Sequence, residues 1–215
     1  YRDANSLRTS LKLVKKNENG VSSLVPYFRK NEMEFLQHYL PGTPVEKNNH
    51  TSLGAIFQKI INLGEMTWVN GFQIEMAKMD LKETQQNALT DSSAFNNATR
   101  PKGKHYDYQG NSKVFALFSG IEGVNLGNNL IGFGDIRAES IHYSYDNKML
   151  DGNTRDDGSI CGFGGCYYNR PADRTDVHQE ISLRLGLETD NDGINYFAQS
   201  SLGFRPPQIN EAYRL

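Results

Sequence analysis

The sequence predicts an all-β chain, organised as an antiparallel up-and-down transmembrane β-barrel and present as about eight strands of a larger barrel. Three observations predict it. The regular segments alternate apolar and polar residues with period two and are bounded by Gly, Asn and Asp, while helix signals are poor. Short and long connections alternate strictly along the chain. The composition is also that of a folded β-protein: 11 Phe, 11 Tyr, 20 Gly, and 37% hydrophobic residues.

The first strand sets Leu7, Thr9, Leu11 and Leu13 against Arg8, Ser10 and Lys12. Asn17-Glu18-Asn19-Gly20 follows as a turn, because Asn and Gly tolerate positive φ. Val21–Arg29 is the second strand and Ser52–Ile60 the third, which leads through the short connection 61–65. The fourth, Thr67–Met79, places Phe72, Ile74 and Met76 on one face and Gln73, Glu75 and Ala77 on the other. Lys113–Ile121 is the fifth, closed by a Gly/Asn-rich turn at 123–129. The sixth, Leu130 to Tyr145, alternates Ile136 and Ala138 with Arg137 and Glu139. The seventh, Ile181–Thr189, alternates Leu183, Leu185 and Leu187 with Arg184, Gly186 and Glu188. After the turn Asp190-Asn191-Asp192-Gly193 the eighth runs from Ile194 to Arg205.

The connections after the second, fourth and sixth strands, residues 30–51, 80–112 and 146–180, are long, polar and rich in Gly and aromatics. Compact soluble domains rarely carry structureless loops beyond ~12–15 residues. Outer-membrane barrels alternate tight turns on one side with long loops on the other. Polar faces such as Arg8 and Lys12 or Arg184 and Glu188 would then line a wet lumen. A soluble β-sandwich with ragged loops is the competing architecture.

Composition excludes several classes. The chain is too apolar and aromatic to be disordered. With 23 Lys+Arg against 25 Asp+Glu it lacks the basic excess of a nucleic-acid binder. No apolar run reaches the ~18 residues of a spanning helix, which excludes a helical membrane protein but not a barrel. The N-terminus, Tyr1-Arg2-Asp3-Ala4-Asn5, shows neither a signal peptide nor an initiator Met, so a fragment or processed product is expected.

The C-terminal stretch carries a resemblance. Gly203, Phe204, Arg205, Pro206 and Pro207, followed by Glu211 and Tyr213, resemble the Gly-Phe-Arg-Ala-Pro…Glu-Leu-Tyr segment of TonB-dependent outer-membrane receptors. Pro207 stands one place after the usual proline, and Ala212 replaces the usual Leu. Upstream, 113–122, Ile136-Arg137-Ala138-Glu139, Tyr143-Ser144-Tyr145-Asp146 and 182–187 are similar to successive barrel strands of that family. The likeness is specific over 111–215 and diffuse over 1–110. It implies an outer-membrane location in a Gram-negative bacterium and a receptor for a scarce nutrient, an iron–siderophore by default, cobalamin or haem otherwise. It also implies import driven by the TonB complex through a plug inside a ~22-stranded barrel. Residues 1–215 would be part of that barrel, without plug or C-terminal strands. A passive pore or small structural barrel and a soluble extracellular β-sandwich binding module are the alternatives.

Candidate chemistry is sparse. Cys161 and Cys166 stand close together in the longest loop, where an oxidising exterior favours a disulfide over metal or redox use. His38, His50, His105, His142 and His178 have no metal-ligand spacing, so no metal site is expected. His105-Tyr106-Asp107-Tyr108 is the best local candidate for ligand contact, since amphipathic aromatics bury area while offering a polar tip. An interfacial aromatic girdle is the equal alternative for it. Arg170 and Arg174 could attract an anionic chelate or lipopolysaccharide phosphates, or be solvated or mutually paired charges. Asp151, Asp156 and Asp157 do not match a calcium loop. No nucleophile elbow, zinc motif or phosphate loop appears, so neither catalysis nor a cofactor is expected.

Overall fold

A computed structural model describes residues 1–90, 92–191 and 193–213. It is one antiparallel meander of nine assigned strands: β1 (Arg2–Ser10), β2 (Leu13–Asn17), β3 (Gly20–Leu36), β4 (Val45–Leu63), β5 (Met66–Gln85), β6 (Gly103–Gly127), β7 (Leu130–Asn147), β8 (Arg174–Asn191) and β9 (Ile194–Leu202). Two short helices interrupt the connections, α1 (Ala94–Thr99) and α2 (Ile209–Tyr213), with a 3-10 turn at Gly162–Gly164. No helix among the described residues is long and apolar enough to cross a membrane.

β1 and β2 are one strand in a single register on β3, from Arg2↔Phe35 through Ser10↔Tyr27 to Asn17↔Gly20. The break falls opposite Pro26. Leu11 N–H still donates to Pro26 O at 3.1 Å, but proline has no N–H to return. The eight expected strands are therefore all present. β3 follows with β4 and so on to β8 with β9, each antiparallel to its sequence neighbour. Among the described residues β1 and β2 pair only with β3, and β9 only with β8, so the sheet carries two unpaired edges.

The strands run further toward the long-loop end than the alternation predicts, and the long connections shrink to 37–44, 86–102 and 148–173. The extensions, such as Lys47-Asn48-Asn49-His50 and Arg29-Lys30-Asn31-Glu32, have no apolar face to announce a strand. Their backbone ladders hold all the same, Asn31↔His50↔Met79 for example. His50 and His105 accordingly lie in β4 and β6, not in loops. At the other end the turns are tight. Asn128 and Asn129 both take positive φ (52° and 60°), the two-residue reversal that right-twisted strands favour. The expected turn at 190–193 contains Asp192, which lies outside the described residues, as do Asp91, Arg214 and Leu215. The eighth strand ends at Leu202, and Gly203–Gln208 leaves the sheet.

Register places the apolar alternation on one face. Phe57, Phe72, Leu117, Ala138 and Ile181 form one row across β4–β8, and Ala55, Ile74 and Phe115 another. Most of the large side chains on this face are exposed, with Met76 at 65% and Leu117 at 51%, as a face toward lipid requires, while Phe57 and Phe72 are part-covered by stacking on each other. Trp68 closes this belt near the tight turns and donates Nε1–H to Ser119 Oγ at 3.0 Å. The opposite face is polar. Arg137 pairs with Glu139 and reaches Gln73 at 3.1 Å, and Arg184 meets Asp135 at 2.5 Å. Aromatic rings on this face lie over cross-strand glycines: Tyr27 over Gly54, Phe118 over Gly71, Phe133 over Gly186. A Cβ at Gly54 would come within 2.4 Å of the Tyr27 ring, so glycine is the residue that admits it.

Candidate functional site: the roofed outer mouth

The one core cluster of the described residues lies at the long-loop end, beyond the apolar belt. Leu81, Tyr106, Tyr108, Ile141, Tyr143 and Tyr145 project from the polar face of β5–β7 and are buried by Cys161, Cys166, Tyr168 and Tyr213. The roof is therefore loop 148–173 together with α2. Tyr145 stacks on Tyr213 at 4.6 Å and packs against Tyr108 at 5.0 Å. The rings exclude water; at the margin Tyr213 reaches Asp176 with its hydroxyl, whereas the Tyr145 and Tyr168 hydroxyls are buried without a hydrogen-bond partner among the described residues.

Loop 148–173 is organised from within. Cys161 and Cys166 form a disulfide. Arg170, 1% exposed, donates Nε–H to Leu150 O at 2.7 Å, Nη1–H to His105 O at 3.2 Å, and Nη2–H to Thr154 O at 2.7 Å and Oγ1 at 3.0 Å. Its charge is thus spread over carbonyl dipoles, the arrangement that lets a guanidinium lie inside a loop. Burial pushes the Tyr168 hydroxyl above its ordinary pKa. It pushes that of Tyr145 up to about 12, with the nearby Tyr106 charge adding to it.

A polar knot joins the loops to the wall. Glu46 and Glu83 are cross-strand partners on β4 and β5, and both are buried. Gln37 Nε2 donates to Glu46 at 2.7 Å and to Glu83 at 3.1 Å. His105 sits in the β-bulge of β6 opposite Glu83/Thr84. Its Nδ1 lies 3.1 Å from Glu83 Oε1 and its Nε2 2.8 Å from Pro101 O, and its ring stacks on Tyr168 at 4.5 Å. Nε2 faces a carbonyl, which only accepts, so that nitrogen carries the hydrogen.

The C-terminal motif residues form a local unit. Arg205 pairs with Glu211 at 2.9 Å, and Glu211 accepts from Gln208 N–H at 2.8 Å, tying the Pro206-Pro207 arm to the start of α2. Those two contacts hold the Glu211 carboxyl below the usual carboxylate range. Tyr213 is fully buried and donates its hydroxyl to Asp176 at 2.6 Å. Burial first, and that bond second, push its pKa far above the ordinary value. Arg174 pairs with Asp176 and lies over the Tyr213 ring. Gly203 and Phe204 mark the exposed exit from β9.

Of the residues singled out in the sequence, His105, Tyr106, Tyr108 and Arg170 are brought together and are buried in one another, while Arg174 keeps a half-exposed side chain. Tyr106 and Tyr108 face the polar side under the roof, so they do not form an outward girdle. Asp151, Asp156 and Asp157 serve loop turns, accepting from Asn147, Lys104 N–H and Ser159 N–H. Among the described residues no three His, Cys, Asp or Glu side chains converge on a metal position. Gln37, Glu46, Glu83 and Tyr168 carry no local signal in the sequence. Tyr106/Tyr108 and Tyr143/Tyr145 do carry one, a period-two tyrosine pattern.

An exposed apolar belt on one face, a polar face opposite, and all long loops at one end define a portion of a transmembrane β-barrel wall. No family model and no curated protein matches the chain. Solved structures do match, and they show its fold to be that of part of a TonB-dependent receptor barrel. The copper transporter OprC matches with TM-score 0.57 at 11% identity, over 93% of this chain and 29% of its own. The ferric citrate transporter FecA in the unliganded form matches with TM-score 0.56 at 12% identity, over 93% and 27%. The ferric-catecholate import receptor Fiu from E. coli K12, in an open form, matches with TM-score 0.58 at 13% identity, over 96% and 36%. The chain spans about a third of the length of these proteins. All three are transporters or import receptors and none is an enzyme, in keeping with the absence of catalytic motifs.

Proposed function

We propose that residues 1–215 are barrel wall from a TonB-dependent outer-membrane receptor that actively imports a scarce nutrient, with an iron chelate as the leading substrate. The observation that carries this reading is the pairing of a lipid-type belt with a loop-built roof over the polar face at one end. A wall that only had to separate water from lipid has no use for a buried tyrosine core above the belt. In this reading the plug that contacts the TonB complex is encoded outside these residues, and lipopolysaccharide packs on the outward face near the roof. His105, Tyr106, Tyr108 and Arg170 act on the ligand by setting the shape of the mouth, and Arg174 is the exposed cation beside it.

The test is uptake of radiolabelled substrate by cells lacking the parent gene and complemented with it, with labelled iron in the iron compounds and labelled cobalt in cobalamin. Ferric siderophores, ferric citrate, haem and cobalamin form the panel, with and without an energised inner membrane. Saturable uptake of one of them that collapses on de-energisation supports the reading. Uptake that persists without energy and rises linearly with concentration supports the passive pore instead.

A further inference from the structure

The outward face of the sheet changes chemistry abruptly where the belt ends toward the long loops. Along β5 the outward residues run from Trp68 through Phe72, Ile74 and Met76 to Lys78, and on to Asp80 and Lys82. Trp68 and Lys78 are ten residues apart. At ~3.3 Å per residue this is ~33 Å along the strand, and a strand tilted by ~40° rises ~25 Å over it. That is the height of the apolar band of an outer-membrane barrel, ~25 Å. Trp68 and Lys78 therefore stand at opposite rims of the belt.

Register brings a second lysine beside Lys78. Lys113 of β6 is the direct partner of Met76, and Asn111 that of Lys78, so the two lysines are diagonal neighbours on one face. Diagonal neighbours lie ~7–8 Å apart, within reach of long side chains. Both are exposed, and among the described residues neither makes an ion pair. Lys30 of β3 stands at the same level across Thr51, but Glu32 pairs with it at 2.7 Å. Nearer the loops, Lys47, Lys104 and Lys148 each have an acidic partner, Glu34, Asp107 and Asp146. Farther round the sheet this level carries no lysine or arginine. His142 and Val177 follow Lys113, and Ser144 and Thr175 follow Asn111. The unpaired charge is thus one site on the β5–β6 arc and not a uniform girdle.

Two like charges side by side repel one another, the more so at the edge of hydrocarbon, where screening is weaker than in water. A single lysine at such an edge is explained by snorkelling. Two unpaired ones above the exposed Met76 and Phe115 favour an anion that itself carries acyl chains. From this we infer that Lys78 and Lys113 form a binding site for a lipid phosphate of the outer leaflet, with Leu53, Met76 and Phe115 below them against the acyl chains. The inference deepens the outer-membrane reading above and rests on it: under that reading the occupant is lipid A, the phosphorylated glycolipid of that leaflet. Asp80 lies on the loop side of Lys78, so the phosphate sits between the two lysines at the belt edge.

The test uses the intact receptor chain, purified in detergent and immobilised, and measures retention of radiolabelled lipid A. One probe is diphosphoryl lipid A; the other is the same lipid stripped of both phosphates. A lysine beside an anionic lipid surface contributes about 1 kcal/mol, about fivefold in affinity. Lys78→Gln and Lys113→Gln are each expected to weaken binding of the diphosphoryl form ~5-fold, and the double variant ~30-fold. Retention of the stripped form should not change. Arginine at both positions should preserve binding. Lys59→Gln, which removes an outward lysine at the opposite rim, should leave it unaltered. Equal retention of the two lipids by the wild-type chain overturns the inference, as does a double variant within about threefold of wild type. An equal loss from Lys59→Gln also overturns it, since the effect would then be one of overall charge. Energised uptake is scored separately. Phosphate-dependent retention without such uptake keeps the lipid site and removes the import reading, whereas energised uptake without a phosphate preference does the reverse.

Discussion

The belt and the roofed mouth are built on the same strands by opposite rules. In the belt, Leu53, Ile74, Leu117 and Ile181 stand exposed, because the surrounding lipid takes the place of a protein core. Beyond it, the same β5–β7 ladders carry tyrosines into water, and a core has to be supplied by the chain itself through loop 148–173 and α2. Stability in the first region comes from the bilayer. In the second it comes from packing, buried hydrogen bonds and one disulfide, as in a small extracellular domain.

The sharpest way to break the contrast is to add a charge to the belt and to remove one from the mouth. Leu117→Arg on the lipid face should cost about 2–4 kcal/mol of barrel stability. The folded, heat-modifiable fraction of the membrane-inserted protein would report it, and an unchanged fraction would remove Leu117 from the belt. Arg170→Ala strips several carbonyls of their donor and should cost about 3 kcal/mol, confined to the mouth. Limited proteolysis should then cut within 148–173 while the belt stays protected.

Smaller changes sharpen the comparison. Replacing Cys161 and Cys166 by Ser frees a short loop and should cost on the order of 2 kcal/mol in the chain-entropy account, read as faster cleavage near Phe163. Tyr213→Phe removes one hydrogen bond to Asp176 and should cost about 1 kcal/mol, seen as weaker protection of α2. Alkali should act on the mouth. The Tyr145 and Tyr213 hydroxyls have folded pKa values raised above the unfolded value near ~10, to about 12 for Tyr145. Their stabilising contribution is complete below the unfolded pKa and is lost as pH rises through the folded one. Spectrophotometric titration should show late-ionising tyrosines, and roof protection should fall between about pH 10 and 12.

Much of this was legible beforehand. Leu183, Leu185 and Leu187 against Arg184, Gly186 and Glu188 announce both the strand and its faces, because side-chain direction in a strand repeats every two residues. The strand extensions were missed, since Lys47-Asn48-Asn49-His50 has the same polarity on both sides. The roles of His105 and Arg170 were missed for another reason. Exposure cannot be read from residue type, and both are buried by partners far along the chain, Glu83 and Tyr168 for one, Leu150 and Thr154 for the other.

By itself the sequence determined the number of strands, their inward and outward faces, the end that bears the long loops and the resemblance carried by Gly203–Tyr213. All of these are local: they depend on alternation, on turn residues, or on a contiguous motif. The tertiary structure alone decided that Glu46 faces Glu83, that Tyr213 returns to cover Tyr145, and that Arg100 lies against the Tyr167 ring. Such neighbours are set by register and by the path of loops over the sheet. No periodicity within a single strand encodes them.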